Sequence, residues 1–368
     1  MDINNVFKKS LPLISRAGIL LFVVLSSLGF TTKQRAQNQF FSNIENIYLC
    51  DSLLFISDSY RGISIYSVAD PESPVFKGSI PLQSHSSLAV NNNIIYANSY
   101  GFIFALRLHA DFTYDTLATI KQDPEYIEEE MYPIDEHHGF FNCAEPVMLD
   151  GGTSGVGGSY ARFAVIDSFL YYLDNNSLVT IDISVPDTIV KLSETYIDWT
   201  VETLFPTQDY LYVGGRGGMY VLDRVNPASP KNVCKLQHFQ AYDPVVVRDT
   251  VAYVALRAGN WGGTAKDVLL VTSVADFSKA YVLDEASTFT PYGLAVQDSL
   301  LFVSNGYNGF TLFDVKNPTT VTKIKYWDTP DTKDFIWVDT ILYTMGFSNV
   351  MVYEVTDPHT PQLLATIK

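Results

Sequence analysis

The densest run of ionisable side chains lies between residues 111 and 150. It holds Asp123, Glu125, Glu128, Glu129, Glu130, Asp135, Glu136, Glu145 and Asp150, with His137 and His138. Carboxylates bind Ca²⁺ when a loop wraps them around the ion, and histidines add transition-metal chemistry. Neither pattern is present. There is no twelve-residue Ca²⁺ loop, and adjacent histidines do not share a face of a strand or helix. We read the segment as solvated acidic chain and expect neither metal nor cofactor. The run Gly151-Gly-Thr-Ser-Gly-Val-Gly-Gly158 lacks the lysine and the following helix of a phosphate loop, so it reads as a flexible hinge. No serine sits in Gly-x-Ser-x-Gly, and His-Glu-x-x-His is absent. A second group has different chemistry: Tyr60, Arg61, Tyr100, Arg162, Arg216, Tyr242, Arg257, Trp261, Tyr307 and Asn308. Aromatic and arginine side chains are favoured binding anchors, and with asparagine they can stack on and hydrogen-bond a sugar or peptide.

What positions these residues is a repeat. An apolar–aromatic pair recurs as Leu54-Phe55, Ile95-Tyr96, Leu170-Tyr171, Leu211-Tyr212, Ala252-Tyr253, Leu301-Phe302 and Leu342-Tyr343. The intervals are 41, 75, 41, 41, 49 and 41 residues, so two of them carry insertions of 34 and 8. Each unit reads as four short strands, A to D. In the sixth, Gly293–Val296, Leu300–Ser304, Phe310–Val315 and Val321–Tyr326 are separated by Gln-Asp-Ser, Asn-Gly-Tyr-Asn-Gly and Asn-Pro turns. The strands carry apolar and aromatic residues at strand spacing. Proline ends strand C because it cannot donate to a ladder. A four-stranded repeat of about 40 residues predicts propeller blades. The fold class is therefore all-β, a seven-bladed β-propeller of four-stranded antiparallel blades over residues 42–368. Blade 7 holds its own four strands, which predicts closure by packing on blade 1 without strand exchange.

Composition agrees. Aromatics are 14% and charged residues only 17% of 368 residues, which suits pleated, half-buried strands and opposes disorder. The formal net charge of −16 argues against nucleic acid as a partner. Lys8, Lys9 and Arg16 precede the apolar run Ala17–Gly29, the arrangement of an export signal. Residues 1–36 are read as signal peptide and short linker, placing the mature chain in the periplasm, at the outer surface or outside the cell. The membrane is met only through that signal, and the alternative is an uncleaved anchor over Leu11–Phe30. Cys50, Cys143 and Cys234 form no C-x-x-C pair, which leaves a thiolate zinc site unsupported. At most one disulfide can form. Cys50 and Cys234 read as small apolar strand residues rather than partners of each other.

The repeat resembles that of the LVIVD-repeat propellers, found among bacterial exported and cell-surface proteins. The resemblance lies in strand B, the glycine-containing turn, a strand C ending in Asp-Val or similar, and the Asp/Asn-Pro-x-x-Pro turn. It is strongest over residues 51–80, 209–236, 298–325 and 339–367, and weakest in repeats 2, 3 and 5. Gly157–Phe163 with Tyr242–Val246 is similar to a subgroup from Bacteroidetes-like bacteria. That subgroup implies cysteines near Tyr242 and Trp261, which this chain lacks. The resemblance implies fold and export, and it carries no reaction and no catalytic residue.

Antiparallel strands send A–B and C–D turns to one face of a propeller, and B–C loops and D–A connections to the other. Both insertions fall on the second face: an acidic one at about 111–158 between blades 2 and 3, and one around Arg257–Lys266. Loop variation on a rigid scaffold is where function resides. The B–C loops carry Tyr60, Arg61, Tyr100, Asn175, Arg216, Arg257, Trp261, Tyr307, Asn308 and Phe347. The D–A segments add His85, Arg162, Trp199, Tyr242 and Tyr292. Three readings follow. The first is an exported binding or scaffold module taking a protein, peptide or glycan on this face. The second is a hydrolase or lyase with carboxylates at the channel mouth, and the third a structural part of a surface assembly. Converging carboxylates in a pocket would mark the enzyme, and an open aromatic–arginine surface the binding module.

Overall fold

The computed structural model describes residues 41–83, 87–122, 156–236, 241–242, 244–258, 266–277, 280–329 and 331–368. The export signal, His85, the acidic run from Asp123 onward with its histidine pair, and Trp261 lie outside the described residues.

Seven antiparallel sheets form the ring, each with strands in the order A-B-C-D. Blade 1 runs Ile44–Cys50, Leu53–Asp58, Gly62–Ser67 and Val75–Ile80, and blade 7 runs Asp334–Val338, Ile341–Met345, Val350–Glu354 and Gln362–Ile367. The ring closes without strand exchange. Ile44, Ile47, Leu54 and Ile56 of blade 1 share one core cluster with Ile336, Tyr343, Met345 and Val352 of blade 7. Burial falls from the inside outward. Strand C of blade 3, Ser177–Asp182, is buried at every position but the last, whereas strand D, Val190–Tyr196, is largely exposed.

Local chemistry repeats with the blades. In six of them strands A and B are joined by a two-residue turn holding Asp51, Asn92, Asp167, Asp249, Asp298 or Asp339 at φ between 48° and 56°. Asp and Asn tolerate this left-handed region better than other side chains. In every blade a residue at or just after the end of strand C donates its N–H to the last residue of the A–B turn, as Val68 does to Ser52 and Val355 to Thr340 (2.8 and 2.7 Å). Every C–D pair also carries a β-bulge at the same place, for example at Ile65/Tyr66 and Val352/Tyr353. A bulge sharpens twist, and an equal twist in each sheet lets seven sheets pack as equivalents.

The central channel is occupied by the chain itself. Strand D of blade 2 is Tyr114–Lys121, so the connection to blade 3, expected at about 111–158, starts beyond that strand. Its last residues enter the channel. Val156 and Gly157 pair with Leu49 and Tyr48, adding a fifth strand to the inner edge of blade 1. Ser159 then meets blade 7: its N–H and hydroxyl donate to Asp334 Oδ1 at 3.1 and 2.6 Å, and Tyr160 N–H donates to Oδ2 at 2.9 Å. The Ser159 Oγ accepts the N–H of Leu294 in blade 6 (2.8 Å). The Ala161 carbonyl accepts Leu204 N–H of blade 4 (2.7 Å), and Arg162 N–H reaches Ser87 Oγ beside blade 2 (3.2 Å).

The flexible-hinge reading of the glycine run is therefore corrected for Gly157 and Gly158. A Cβ on Gly158 would lie 2.1 Å from Asp334 Oδ2, and one on Gly293 2.2 Å from Oδ1. The glycines are there for close approach to a buried carboxylate.

Cys50 is a free thiol at the end of its strand. Cys234 is buried in the core of blades 4 and 5 and is disulfide-bonded, so the expectation that it is only a small apolar residue is corrected. The two are not bridged to each other.

Burial pushes the Asp334 carboxyl up to about 6, against the Ser159 hydroxyl and the N–H groups of Tyr160, Phe335 and Ser159. The folded state therefore holds this proton more tightly than the unfolded chain. Its contribution to stability is complete below the ordinary aspartate value near 3.8 and is lost as pH rises through about 6. In denaturant titrations across that window, the native chain should lose roughly 3 kcal/mol of stability that Asp334→Asn does not lose. An unchanged slope would mean Asp334 titrates normally.

Candidate functional site

The B–C and D–A segments meet around the end of the channel where Tyr160 sits. Carboxylates hold the loops in place there. Asp58 accepts the N–H groups of Ser42, Asn43, Tyr60 and Arg61 at 2.7 to 3.1 Å. Burial opposes its charge, but the four donors outweigh it and hold the group below the usual aspartate value. Asp331 takes Phe347 N–H (2.6 Å) and Asn349 Nδ2 (2.9 Å). Asp267 takes Ala258 and Thr290 N–H groups, both at 2.8 Å. Asp198 takes the Trp199 N–H (2.8 Å) and the Tyr220 hydroxyl, with Lys235 Nζ 3.4 Å away. Carboxylates that accept backbone N–H bonds favour their ionised form and act as fixed structural acceptors.

The side chains these loops present form two connected groups. On one wall the exposed Tyr307 stacks on Phe347 (centroids 4.6 Å apart, planes at 14°), and Phe347 meets the edge of Tyr292 at 6.1 Å. The Arg257 guanidinium lies over the Tyr292 ring at 3.6 Å. Lys333 Nζ lies 5.7 Å from both the Phe347 and Tyr160 rings. A ladder of rings and cations thus runs from the rim to the channel segment. On the other wall Arg216 lies 3.6 Å from Glu202 and 5.7 Å from the exposed Trp199 ring. Burial raises the Glu202 carboxyl, opposed by Arg216, Arg162 and Arg257 in that order. One carboxylate is therefore felt by three arginines from different blades.

Not every expected residue joins this cluster. Tyr60 and Tyr100 stand exposed on blades 1 and 2 (69% and 67%), Arg61 is exposed beside Tyr60, and no described contact joins them to the arginines. Arg162 is half-buried and donates to the Leu173 carbonyl (3.3 Å), and burial lowers its pKa. Asn308 turns inward, its Nδ2 3.4 Å from both Thr290 Oγ1 and the Asn305 carbonyl. The backbone of Tyr242 pairs with Arg257. Trp261 is outside the described residues. Sequence reasoning missed Tyr160, Glu202 and Lys333. The Tyr160 hydroxyl is buried without a hydrogen-bond partner among the described residues, and burial raises its pKa far above the phenol value. Lys333 is nearly buried, donates to the Ile44 carbonyl (3.1 Å) and pairs with Glu45 (3.7 Å).

One cleft of about 170 Å³ is lined by Asn91, Asp167 and Pro186 on the A–B/C–D face. Another of about 280 Å³ is lined by Phe289, Asn305, Phe313 and Tyr326 between blades 5 and 6, at the edge of the B–C/D–A face. Neither is lined by Arg162, Arg216 or Arg257. Among the described residues no group of three or more His, Cys, Asp or Glu side chains could hold a metal ion.

No family model matches the sequence, and no curated protein matches it. Solved structures do resemble the fold. A protein from Lactobacillus plantarum superposes with a TM-score of 0.63 at 14% identity, covering 88% of this chain and 96% of that one. The periplasmic gluconolactonase PpgL of Pseudomonas aeruginosa gives 0.60 at 9%, covering 88% and 95%. BamB from Moraxella catarrhalis gives 0.53 at 9%, covering 84% and 82%. At these identities the likeness is one of fold, and the chain is a seven-bladed β-propeller.

If Asp331 holds the blade 7 loop, Asp331→Ala frees the donors of Phe347, Ser348 and Asn349. Backbone amide exchange at Phe347 and Ser348 should then quicken by about tenfold or more while the strand cores keep their protection. Unaltered exchange there would show that the ring stack alone holds the loop.

Proposed function

We propose that this protein is an exported binding module that engages its ligand at the B–C/D–A mouth of the propeller without turning it over. It would be a divergent relative of the LVIVD-repeat propellers. The observation that supports this reading is the division of labour at the mouth. The aspartates there serve as loop clamps, while aromatic side chains are held face-out beside half-buried arginines. Tyr307 and Trp199 remain 68% and 55% exposed although both are positioned by neighbours. Rigid exposed aromatics lose little entropy on binding and are favoured anchors.

The hydrolase or lyase reading needs two open carboxylates. Asp334 is enclosed by Ser159, Gly158 and Gly293, and Glu202 faces three arginines rather than a second acid. Disulfides persist in oxidising compartments, and the disulfide at Cys234 supports export, as do the periplasmic sources of some fold neighbours.

The test is a glycan and peptide array probed with the full chain, the Tyr307→Ala/Trp199→Ala double variant and Arg107→Gln. Arg107 lies exposed near the opposite face, paired with Asp187. Loss of about 1–3 kcal/mol of affinity in the double variant alone supports the mouth. Equal loss in Arg107→Gln, or turnover of a bound compound, would remove the proposal.

A further inference from the structure

We propose that the cleft between blades 5 and 6 is a subsite for one ring of a neutral saccharide. This deepens the binding-module reading and rests on it, because the cleft lies at the edge of the same B–C/D–A face. Its lining comes from three places in the chain. Thr288 and Phe289 follow strand D of blade 5, Asn305 begins the B–C loop of blade 6, and Thr311, Phe313 and Tyr326 belong to strands C and D of blade 6. The volume of about 280 Å³ is just below the range usual for small-molecule sites, about 300–1,000 Å³, which suits a single sugar ring.

The lining has the two-sided character of a pyranose. Phe289 and Tyr326 are large rings left 59% and 42% exposed, and ring faces attract the C–H groups of a sugar through dispersion and the ring quadrupole. Thr288, Asn305 and Thr311 add hydroxyl and amide groups for the sugar's rim. Asn305 and Thr311 are buried and bonded to each other at 3.0 Å, so these polar groups are fixed. An apolar peptide side chain would take them out of water without meeting them. The Thr288 hydroxyl is buried with no hydrogen-bond partner among the described residues. Buried hydroxyls almost always have one, and a saccharide hydroxyl is a partner of the right kind. Charge does not define the guest. Among the described residues the only charged one in the lining is Lys323, whose ammonium lies 5.3 Å from the Tyr326 ring centroid, and Asp328 acts on the same tyrosine.

The segment that carries Phe289 is held under strain. Thr290, the next residue, has φ 39°, and a β-branched side chain rarely enters the left-handed region. Its N–H donates to Asp267 (2.8 Å) and its hydroxyl to the Asn305 carbonyl (3.2 Å), while the Asn305 amide donates to the Phe289 carbonyl. Strain of this kind persists only where the surroundings over-determine it, and it gathers at ligand clamps. Here it fixes an exposed ring beside a cleft. Asn305 also begins the loop that carries Tyr307, so the subsite and the ring stack at the mouth belong to one loop cluster.

Binding to the full chain would be measured by calorimetry with four probes: a neutral hexose tetrasaccharide, an N-acetylhexosamine tetrasaccharide, a hexuronic-acid tetrasaccharide and an aromatic tetrapeptide. At least one of the two neutral sugars should bind, with an affinity that changes by no more than about twofold between about 50 and about 500 mM salt. Phe289→Ala and Tyr326→Ala should each weaken it about tenfold. Thr288→Val should weaken it about threefold while melting no lower than the native chain, because it removes an unmet hydroxyl at constant shape. Circular dichroism and melting of each variant separate lost binding from lost fold. Sugar binding that the Tyr307→Ala/Trp199→Ala double variant weakens and Phe289→Ala does not overturns the cleft and leaves the mouth reading in place. Tighter binding of the hexuronic acid, falling with salt, overturns the neutral sugar, and tighter binding of the peptide overturns the saccharide. Binding that no variant of either set weakens overturns both this inference and the reading beneath it. No binding of any probe overturns this inference alone, since the array tests the reading beneath it.

Discussion

The clasp between Ser159 and Asp334 is the contact on which the rest of this molecule depends. A ring of seven sheets leaves the inner edge of every strand A facing a channel, with unpaired N–H and C=O groups. Most propellers can leave such groups to water. Here the chain sends residues 156–162 inside. The segment pairs with blade 1, bonds blades 4, 6 and 7, and reaches the start of blade 2. Blade 1 and blade 7 share no strand; they meet through side-chain packing and the bond from the Ile44 N–H to the Phe347 carbonyl (2.8 Å). A segment hydrogen-bonded to both is therefore a second closure, made of backbone and one carboxylate rather than of a swapped strand.

The same segment sets the floor of the mouth. Tyr160 follows the clasp directly, and Arg162 leads into strand A of blade 3, Phe163–Ile166. Their positions are consequences of how Ser159 is held. The loops above are fixed by a similar device, an aspartate accepting two to four N–H or side-chain donors from the loop it supports. At this end Asp58, Asp267 and Asp331 accept backbone N–H groups, while Arg216 meets Glu202 and Trp199 and Arg257 lies over Tyr292.

Much of the ring was legible. The 41-residue interval, the Asp or Asn of the A–B turn and the Asp-Pro turn each report a local constraint, a period or a φ that few side chains accept. They place strands and faces correctly without knowledge of any contact. The face bearing Arg216, Arg257 and Tyr307 followed from strand alternation alone. The clasp was not legible, because Ser159 and Asp334 are 175 residues apart and their pairing follows no period. A partial signal did exist. The residue five positions before the A–B turn Asp or Asn is Asn46, Ser87, Arg162, Pro244, Gly293 or Asp334. These are polar or conformationally special residues in otherwise apolar strands, as expected where a strand begins beside the channel. The glycine run was misread for the opposite reason: glycine signals freedom and close approach equally, and only the neighbour of Gly158 tells them apart.

The arrangement also bears on why a chain would hold its arginines this way. A protein closing only its ring could fill the channel with apolar side chains or water. This one buries a carboxylate and keeps near it a phenol with no hydrogen-bond partner among the described residues, with Arg257 and Lys333 beside that phenol. Each feature is unfavourable alone, and polar groups left unmet in a folded interior call for a reason. Local rules are broken most often where a site requires it, and the buried Asp334 and the Tyr160 hydroxyl are two such breaches at one end of the channel. With the exposed Tyr307 and Trp199 above them, they are the reason we propose the mouth as the working end of the molecule.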